Sequence, residues 1–343
     1  MIDIFSLEVE NMVGSLKGQK ILLYGDNDTG KTKQAMRMEK PLLLMCESGG
    51  NAVTGLKQPV NSWSDFLQIV NQLTSDRTRK KGMQKFQTIV VDTVDILVNQ
   101  CEGAVCKEFG VRDLSEMNDV KDMPNGYLLA RNDFKMQINR LTNYGYTVVF
   151  IAHSEIITEK YVDPNTGKVI ENEMSIPFNT KNKKSSNQFV RDLCDFVFYV
   201  QANGIDKESG NPKLSTAYSK KTDFAFARSR YIHTKPIIDP FTAENMSNAI
   251  LDAIKQEAEE GGVEVTDFVE KKEERHAKDY IAMIQPLFKT LYGHYPEKVQ
   301  EIVAEQLGDG AKISEAKDTQ CDELETIYNR LQGLATDKNI DVE

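Results

Sequence analysis

The sequence predicts an α/β protein with a mostly parallel central sheet, followed by a small acidic helical module at its C-terminal end. Short runs of apolar and β-branched residues recur along the chain, and segments long enough for helices separate them. Such continuously apolar strands are expected where helices cover both faces of a parallel sheet. The predicted strands are Lys20–Tyr24, Pro41–Cys46, Thr88–Asp92, Thr147–Ala152 and Phe196–Gln201.

The segments between these strands have the apolar spacing of helices. The predicted crossover helices are Thr32–Met38, Ser64–Leu73, Val94–Phe109 and Tyr127–Tyr144. In the last of them, Phe134, Ile138 and Leu141 form one apolar stripe. Further along, two alternating segments flank Asp163–Gly167, which has the residues of a tight turn, so a protruding β-hairpin is predicted there.

Charge divides the chain into two modules. The 343 residues are 40% hydrophobic and 27% charged, which is typical of globular protein and excludes wholesale disorder, collagen and coiled coil. Residues 1–251 carry 31 Lys and Arg against 30 Asp and Glu, whereas residues 252–343 carry 11 against 22. Because the helical pattern also breaks at Gly261-Gly262, the predicted domains are residues 1–262 and 263–343. The predicted helices of the second module are His276–Tyr292, Glu297–Leu307 and Asp318–Leu334.

The sequence predicts a cytoplasmic protein without a membrane segment. The longest apolar runs are four or five residues long, far short of the roughly 18 that span a bilayer. Met1–Glu10 contains three acidic residues where a secretory signal would have Lys or Arg before an apolar stretch. The five cysteines lack the spacing of a zinc site or a disulfide framework.

A phosphate-binding motif follows the first predicted strand. Residues Gly25–Thr32 fit GxxxxGK[ST] and lie between an apolar strand and a predicted helix. In this motif, backbone N–H groups of the loop and of the helix N-terminus converge on phosphate oxygens. We expect Lys31 to neutralise the β- and γ-phosphates of ATP and Thr32 to bind Mg²⁺. The predicted nucleotide-binding residues are Gly25, Asp26, Asn27, Asp28, Thr29, Gly30, Lys31 and Thr32.

Three polar residues follow other predicted strands at the same edge of the sheet. Asp92 ends an apolar strand and is predicted to hold Mg²⁺ through water. Glu47 and His153 are candidates for the groups that orient or deprotonate an attacking water near the γ-phosphate. The alternatives are that Glu47 is a solvated loop carboxylate and that His153 is a satisfied polar residue at a strand end.

Two arginines are candidates for the positive group that stabilises charge in a phosphoryl-transfer transition state. They are Arg228 and Arg230, and Lys220 and Lys221 lie nearby in the sequence. The alternative is that these residues form a solvated basic edge.

Four segments together resemble the core of RecA-type ATPases. They are ILLYGDNDTGKT, LLLMCESGG, TIVVDTVDIL and YTVVFIAHSE, in that order and spacing. The similarity covers about Gly18 to Leu251 and is closest to phage RecA-like ATPases of the single-strand annealing and recombinase class. It implies a catalytic glutamate at Glu47 and a γ-phosphate sensor at His153, where bacterial recombinases have Gln and helicase-like relatives can have His. It also implies basic residues that reach the nucleotide of a neighbouring subunit, a role that falls on Arg228 and Arg230.

The same resemblance implies two loops that bind single-stranded DNA. They fall on roughly Phe109–Tyr127 and Ser154–Gln188. Positive charge in the second loop would neutralise phosphates, and aromatic residues would stack on bases. The alternative is a surface hairpin whose lysines only confer solubility. The predicted DNA-binding residues are Lys160, Lys168, Lys181, Lys183, Lys184 and Arg191.

These observations predict an ATPase, stimulated by DNA, that promotes strand annealing or exchange in phage homologous recombination. We expect it to bind single-stranded DNA, to form a ring or filament of identical subunits, and to act in the cytoplasm of a bacterial host. Two alternatives stay open: a RecA-like replication motor or helicase-loader ATPase, and a regulatory nucleotide-binding protein that acts by interaction. The choices between DNA and RNA and between ring and filament are also open.

The acidic module is expected to compete with DNA for the basic loops or to recruit a replication or recombination protein. Removal of all residues from Val263 onward is then expected to raise the affinity for single-stranded DNA or to change its salt dependence. A salt titration of DNA binding measures both quantities. Unchanged binding would contradict the competition.

Overall fold

A mostly parallel β-sheet forms the centre of the first part of the molecule, as the apolar runs predict. The computed structural model describes residues 9–47, 53–75, 78–120, 123–162, 167–178, 188–269, 277–338 and 340. The strands are β1 (Met12–Val13), β2 (Lys20–Gly25), β3 (Pro41–Met45), β4 (Leu56–Pro59), β5 (Thr88–Asp92), β6 (Thr147–Ala152), β7 (Ser154–Val162), β8 (Val169–Pro177), β9 (Phe196–Gln201), β10 (Thr216–Tyr218), β11 (Arg228–Ser229), β12 (Ile237–Ile238) and β13 (Val265–Thr266). The helices are α1 (Lys31–Ala35), α2 (Trp63–Thr74), α3 (Arg79–Lys85), α4 (Val94–Phe109), α5 (Gly126–Asn143), α6 (Gln188–Leu193), α7 (Ala243–Gly261), α8 (Ala277–His294), α9 (Pro296–Leu307) and α10 (Cys321–Asp337).

The order of strands in the central sheet is β12-β10-β9-β2-β6-β5-β3-β4, and β11 pairs with β9. The strands from β9 to β4 pair in parallel, whereas β10, β11 and β12 pair antiparallel. All five sequence-predicted strands are present, as β2, β3, β5, β6 and β9. Their carboxyl ends lie at one edge of the sheet, which is where ligands bind in open α/β folds.

Two apolar clusters cover the faces of the sheet. Strand β2 shows the alternation that builds them, because Leu22 and Tyr24 point into one cluster while Ile21 and Leu23 point into the other. Helices α2, α4, α5 and α6 pack on the first face, and α1 and α7 pack on the second. The parallel strands are therefore buried on both sides, which explains their continuously apolar sequences.

The crossover helices match their predicted positions, with one exception. Helix α4 has the predicted bounds, and α2 and α5 each differ from them by one residue at either end. Helix α1 is shorter than predicted and ends at Ala35. The chain then turns with Lys40 at φ 43° before Pro41 begins β3. A residue that precedes proline is disfavoured in helical conformation, so the helix cannot run up to the strand.

The predicted hairpin is formed by β7 and β8, which pair from Ser154–Pro177 to Val162–Val169. Its root is attached to the central sheet by Tyr24, the residue before the phosphate-binding motif. The hydroxyl of Tyr24 donates to the carbonyl oxygen of Ser175 at 3.0 Å and also to that of Phe226. The returning strand is thus fastened directly to β2.

The chain divides into two compact units, residues 1–271 and 272–343. The division lies further along the chain than the predicted boundary after Gly262. Gly262, at φ 64°, caps the end of α7, and the chain then continues as β13, which pairs in parallel with β1. The ring of Phe268 packs so closely on Gly18 that a Cβ there would lie 2.9 Å from it. The Gly-Gly break therefore ends a helix and not the domain.

The second unit is a helical bundle of α8, α9 and α10 with its own core. Tyr280, Ile284, Leu287 and Leu291 of α8 pack into one cluster with residues of the other two helices. The apolar stripe of the predicted first helix is therefore internal to the unit. In the described part of the chain, no helix is both long and apolar enough to cross a membrane.

Two truncations test the position of the domain boundary. A fragment that ends at residue 262 loses the hydrogen bonds that Met12 and Gly14 donate to Glu264 and Thr266, both at 3.0 Å, and loses Phe268. We expect it to unfold about 4–8 °C below a fragment that ends at residue 271, which corresponds to about 2 kcal/mol for a domain of this size. Thermal unfolding by circular dichroism measures the difference. Equal melting temperatures would contradict the boundary at 271.

Candidate nucleotide-binding site

The loop from Gly25 to Gly30 joins β2 to α1 and depends on backbone conformations that glycine favours. Gly25 has φ 139°, and a Cβ at this position would lie 2.1 Å from the carbonyl oxygen of Val200. Gly30 has φ 80° and precedes the first residue of α1, while Asp28 has φ 59°. Glycine adopts such angles at little cost, and Asp tolerates the left-handed region better than most residues. The loop can therefore curl tightly over the end of β2.

Side-chain hydrogen bonds brace this loop. The Thr29 hydroxyl donates to the carbonyl oxygen of Asp26 at 2.9 Å, and the Ser215 hydroxyl donates to the carbonyl oxygen of Thr29 at 2.9 Å. Thr29 is buried, with 4% of its surface exposed. Ser215 lies 186 positions away in the sequence, and no motif could have indicated its role.

The ammonium group of Lys31 lies across the loop. Its Nζ donates to the carbonyl oxygens of Gly25 at 3.0 Å and Asp26 at 2.6 Å, and to the Thr29 hydroxyl at 3.2 Å. Burial lowers the pKa of Lys31, and the nearby carboxylates of Asp26, Asp92 and Asp28 oppose this shift. The loop thus encloses a positive charge at the place where the motif predicts phosphate.

Thr32 and Asp92 meet at the same edge of the sheet. The Thr32 hydroxyl, in the first turn of α1, donates to Oδ2 of Asp92 at 2.9 Å, although β6 separates β2, which leads into the loop, from β5. Burial raises the pKa of Asp92, whereas the Thr32 hydrogen bond and the Lys31 charge lower it. A hydroxyl and a carboxylate are oxygen ligands of the kind that Mg²⁺ prefers. The described residues contain no group of three or more His, Cys, Asp or Glu side chains that would hold a metal by themselves.

Glu47 follows β3 and is exposed at the same edge. Strand β3 pairs with β5 so that Met45 lies opposite Asp92, and the backbone N–H of Cys46 donates to the carbonyl oxygen of Asp92 at 2.8 Å. Burial raises the pKa of the Cys46 thiol to about 12, with further increases from the charges of Asp92 and Glu47. Both carboxylates therefore act on one thiol, so Glu47 lies on the Asp92 side of the site.

His153 follows β6, which lies between β2, the strand that leads into the phosphate loop, and β5, which ends at Asp92. Its backbone N–H donates to Oδ2 of Asp95 at 3.2 Å, and its Nδ1 lies 3.5 Å from the same oxygen. The His153 side chain is 55% exposed, whereas that of Asp95 is 18% exposed. Burial raises the pKa of Asp95, and contact with His153 lowers it. Sequence reasoning missed Asp95, because an acidic residue in the first turn of a helix is common for its effect on the helix dipole.

Arg228 and Arg230 lie at the opposite edge of the sheet from the phosphate loop of their own chain. Arg228 pairs with Val197 at the amino end of β9, and Nε of Arg230 lies 3.2 Å from Oδ1 of Asp195. A strand of this length is about 20 Å long, so neither guanidinium belongs to the site built by β2, β5 and β6. Their predicted role toward the nucleotide of a neighbouring subunit stays a prediction.

The predicted DNA-binding residues fall into two groups. Lys181, Lys183 and Lys184 lie outside the described residues. Among the others, Lys160 is paired with Glu171, and Arg191 lies 3.4 Å from the Asp192 carboxylate and 4.7 Å from the centre of the Phe226 ring. Strands β7 and β8 carry four glutamates and a single lysine. Most of the basic residues of the predicted loop therefore lie outside the hairpin strands, and their role in DNA binding stays a prediction.

The fold and the site together define a P-loop NTPase. The phosphate loop, its lysine and the threonine that contacts an acidic strand end are all at the carboxyl edge of a parallel sheet. Residues 17–231 match a family described as an AAA domain, AAA_24, and the chain belongs to this family. The prediction of a P-loop ATPase core is confirmed to this extent.

A full-length relative supports the same assignment. The SPbeta prophage-derived uncharacterized protein YorG of Bacillus subtilis (strain 168) is 32% identical to this chain over 340 residues. The alignment covers 97% of this chain and 98% of the relative. The similarity thus extends through both units and beyond the AAA domain.

Two glycine substitutions test the geometry of the phosphate loop. In Gly25→Ala the new Cβ would meet backbone at 2.1 Å, whereas in Gly30→Ala it would meet no atom within 4 Å. We expect Gly25→Ala to reduce the free energy of unfolding by at least about 3 kcal/mol, and Gly30→Ala by about 1 kcal/mol, from its left-handed conformation alone. Urea unfolding of both variants measures this. Equal losses would contradict the described loop.

Proposed function

We propose that this chain is a Mg²⁺-dependent ATPase that acts on single-stranded DNA in phage homologous recombination, where it promotes strand annealing or exchange. The observation that carries the ATPase part is the hydrogen bond between Thr32 and Asp92, directly beside Lys31. It brings the last residue of the phosphate motif to the acidic end of another strand. A chance match of the motif would not require this contact.

The residues of the site fit ATP and Mg²⁺. Lys31 and the backbone of Gly25–Thr32 would hold the phosphates, and Thr32 and Asp92 would hold the metal ion directly or through water. The bound ion would neutralise charge on the phosphate oxygens. Because Mg²⁺ usually keeps several waters and phosphate ligands, two protein oxygens are sufficient for such a site.

Glu47 and His153 would act on the reacting end of the nucleotide. Glu47 is exposed beyond the end of β3, so its carboxylate is free to orient an attacking water and accept its proton. His153 lies at the end of the middle strand, between the phosphate loop and Asp92, where a side chain would contact the γ-phosphate. In this proposal Glu47 is the base and His153 senses the phosphate.

The DNA part of the proposal is supported by how the hairpin and the basic segment are connected to the site. Strand β7 begins directly after His153, and the backbone N–H of Phe178 donates to the carbonyl oxygen of His153 at 3.3 Å. The sequence after Phe178 is NTKNKKSSN, which contains three lysines and no acidic residue. This segment would contact phosphates of a DNA strand, and His153 would link it to the nucleotide. The prophage source of the relative supports the phage part of the proposal.

The proposal includes assembly into a ring or filament of identical subunits, in which Arg228 and Arg230 would approach the nucleotide of a neighbour. Both arginines lie far from the phosphate loop of their own chain, so only a second subunit could give them this role. The acidic second unit would recruit a replication or recombination protein, and the host cytoplasm would be the place of action.

A second candidate function is a replication motor or helicase-loader ATPase. The four glutamates on the hairpin strands favour it, because a surface of this charge suits a basic protein partner better than a DNA strand. Stimulation of a replicative helicase, or directional unwinding, would distinguish this candidate from annealing.

ATP hydrolysis with and without single-stranded DNA tests the proposal. We expect DNA to raise the turnover number, and both Lys31→Ala and Glu47→Gln to lower it by more than about 100-fold. Glu264→Gln, which changes an exposed carboxylate beside β13, is the matched control and should leave turnover unchanged. A rate that is insensitive to both active-site variants would contradict the ATPase. Nucleotide binding without stimulation by DNA would favour the loader or a regulatory binding protein.

A further inference from the structure

Asp95 is a largely buried carboxylate at the site, and no sequence motif gives it a role. It lies in the first turn of α4, three residues after Asp92, and 18% of its side chain is exposed. One of its oxygens, Oδ2, faces both the backbone N–H of His153 at 3.2 Å and the Nδ1 atom of the same residue at 3.5 Å. A single carboxylate oxygen thus contacts the main chain and the ring of the residue that ends β6.

We propose that Asp95 is a positioning residue, which holds the imidazole of His153 so that its other nitrogen, Nε2, faces the γ-phosphate of the bound nucleotide. This inference rests on the proposed function, in which His153 senses that phosphate. Asp95 itself makes no contact with nucleotide in this proposal. Its effect on turnover passes entirely through His153.

The geometry supports separate roles for the two ring nitrogens of His153, with Nδ1 directed to Asp95 and Nε2 to the phosphate. Since Nδ1 faces a carboxylate oxygen, it is the nitrogen that carries the proton in the neutral ring, and Nε2 is left on the far side. The 3.2 Å backbone hydrogen bond fixes the position of His153, and the 3.5 Å Nδ1 contact selects the direction of its ring. Hydrogen bonds of this kind are often long before substrate binds and shorten in the complex.

A second carboxylate, that of Asp92, also interacts with His153. Burial raises the pKa of both Asp92 and Asp95, and the interaction with His153 opposes the rise in each. A ring turned toward Asp92 would place its proton on the metal ligand and away from the nucleotide. Contact with Asp95 opposes this rotation. It also joins the end of β6 to the helix that follows β5, so that His153 and Asp92 keep a fixed separation.

A double-mutant cycle tests whether Asp95 acts through His153. We expect Asp95→Ala to lower the turnover number about 10-fold, with the KM for ATP unchanged. In a His153→Ala background, Asp95→Ala should have no further effect on turnover. Asp95→Asn keeps an oxygen in place and should restore most of the activity. An equal loss of turnover in both backgrounds, or no rescue by Asn, would overturn the proposal.

A matched control excludes a general effect of removing a carboxylate that accepts a backbone hydrogen bond in the first turn of a helix. Asp65 occupies such a position in α2, where it accepts from the backbone N–H of Asn61 at 2.9 Å. Asp65→Ala should leave the turnover number unchanged. Thermal unfolding of each variant shows whether it is folded.

A second readout does not depend on ATP hydrolysis. The full chain contains four histidines, so ¹⁵N NMR of its imidazole rings is tractable, and His153→Ala identifies the signals of His153. At alkaline pH we expect the proton of the neutral ring on Nδ1 in the wild type, and a shift toward Nε2 in Asp95→Ala. Failure of the ATPase assay alone would count against the proposed function. An unchanged NMR spectrum in Asp95→Ala would overturn the positioning role.

Discussion

The nucleotide site depends on the burial of the parallel strands β9, β2, β6, β5 and β3 on both faces. Between two apolar clusters there is no place for an unpaired charge, so the charged side chains of this region lie at the ends of the strands or beyond them. Lys31, Thr32, Glu47, Asp92 and His153 all lie at or just after a carboxyl end. The burial that stabilises the sheet therefore also places the groups that phosphate and Mg²⁺ require at one edge of it.

The order of the strands then decides which of these groups meet. Because β6 lies between β2 and β5, the Thr32 hydroxyl, in the helix that follows the phosphate loop, reaches the Asp92 carboxylate across the end of an intervening strand. His153 follows that intervening strand. Asp95, in the helix that follows β5, contacts His153. Two polar pairs, Thr32 with Asp92 and His153 with Asp95, thus lie at neighbouring strand ends.

The sequence predicted the five central strands well, because the same burial that forms the sheet makes its strands continuously apolar. Helix α4 was also predicted with its observed bounds, since Gly110 ends it in a left-handed conformation at φ 67°. Contacts between distant segments could not be predicted. Ser215 braces the phosphate loop from 186 positions away.

Some local sequence patterns have two physical meanings, and the structure can then differ from the expectation drawn from them. The glycines at the end of α7 indicated a domain boundary, but Gly262 serves as a helix cap and the chain returns to pair with β1. The predicted DNA-binding loop, Ser154–Gln188, includes both hairpin strands, and these strands carry more glutamate than lysine. Four of the five lysines of the loop lie outside the strands.

The hydroxyl of Tyr24 connects the phosphate loop to the hairpin. It fastens the root of β8 to the last buried residue before the loop. The hairpin strands have nine residues each and extend about 30 Å. Because the hairpin is fastened to β2 at its root, its two long strands share the position of the strand that leads into the phosphate loop.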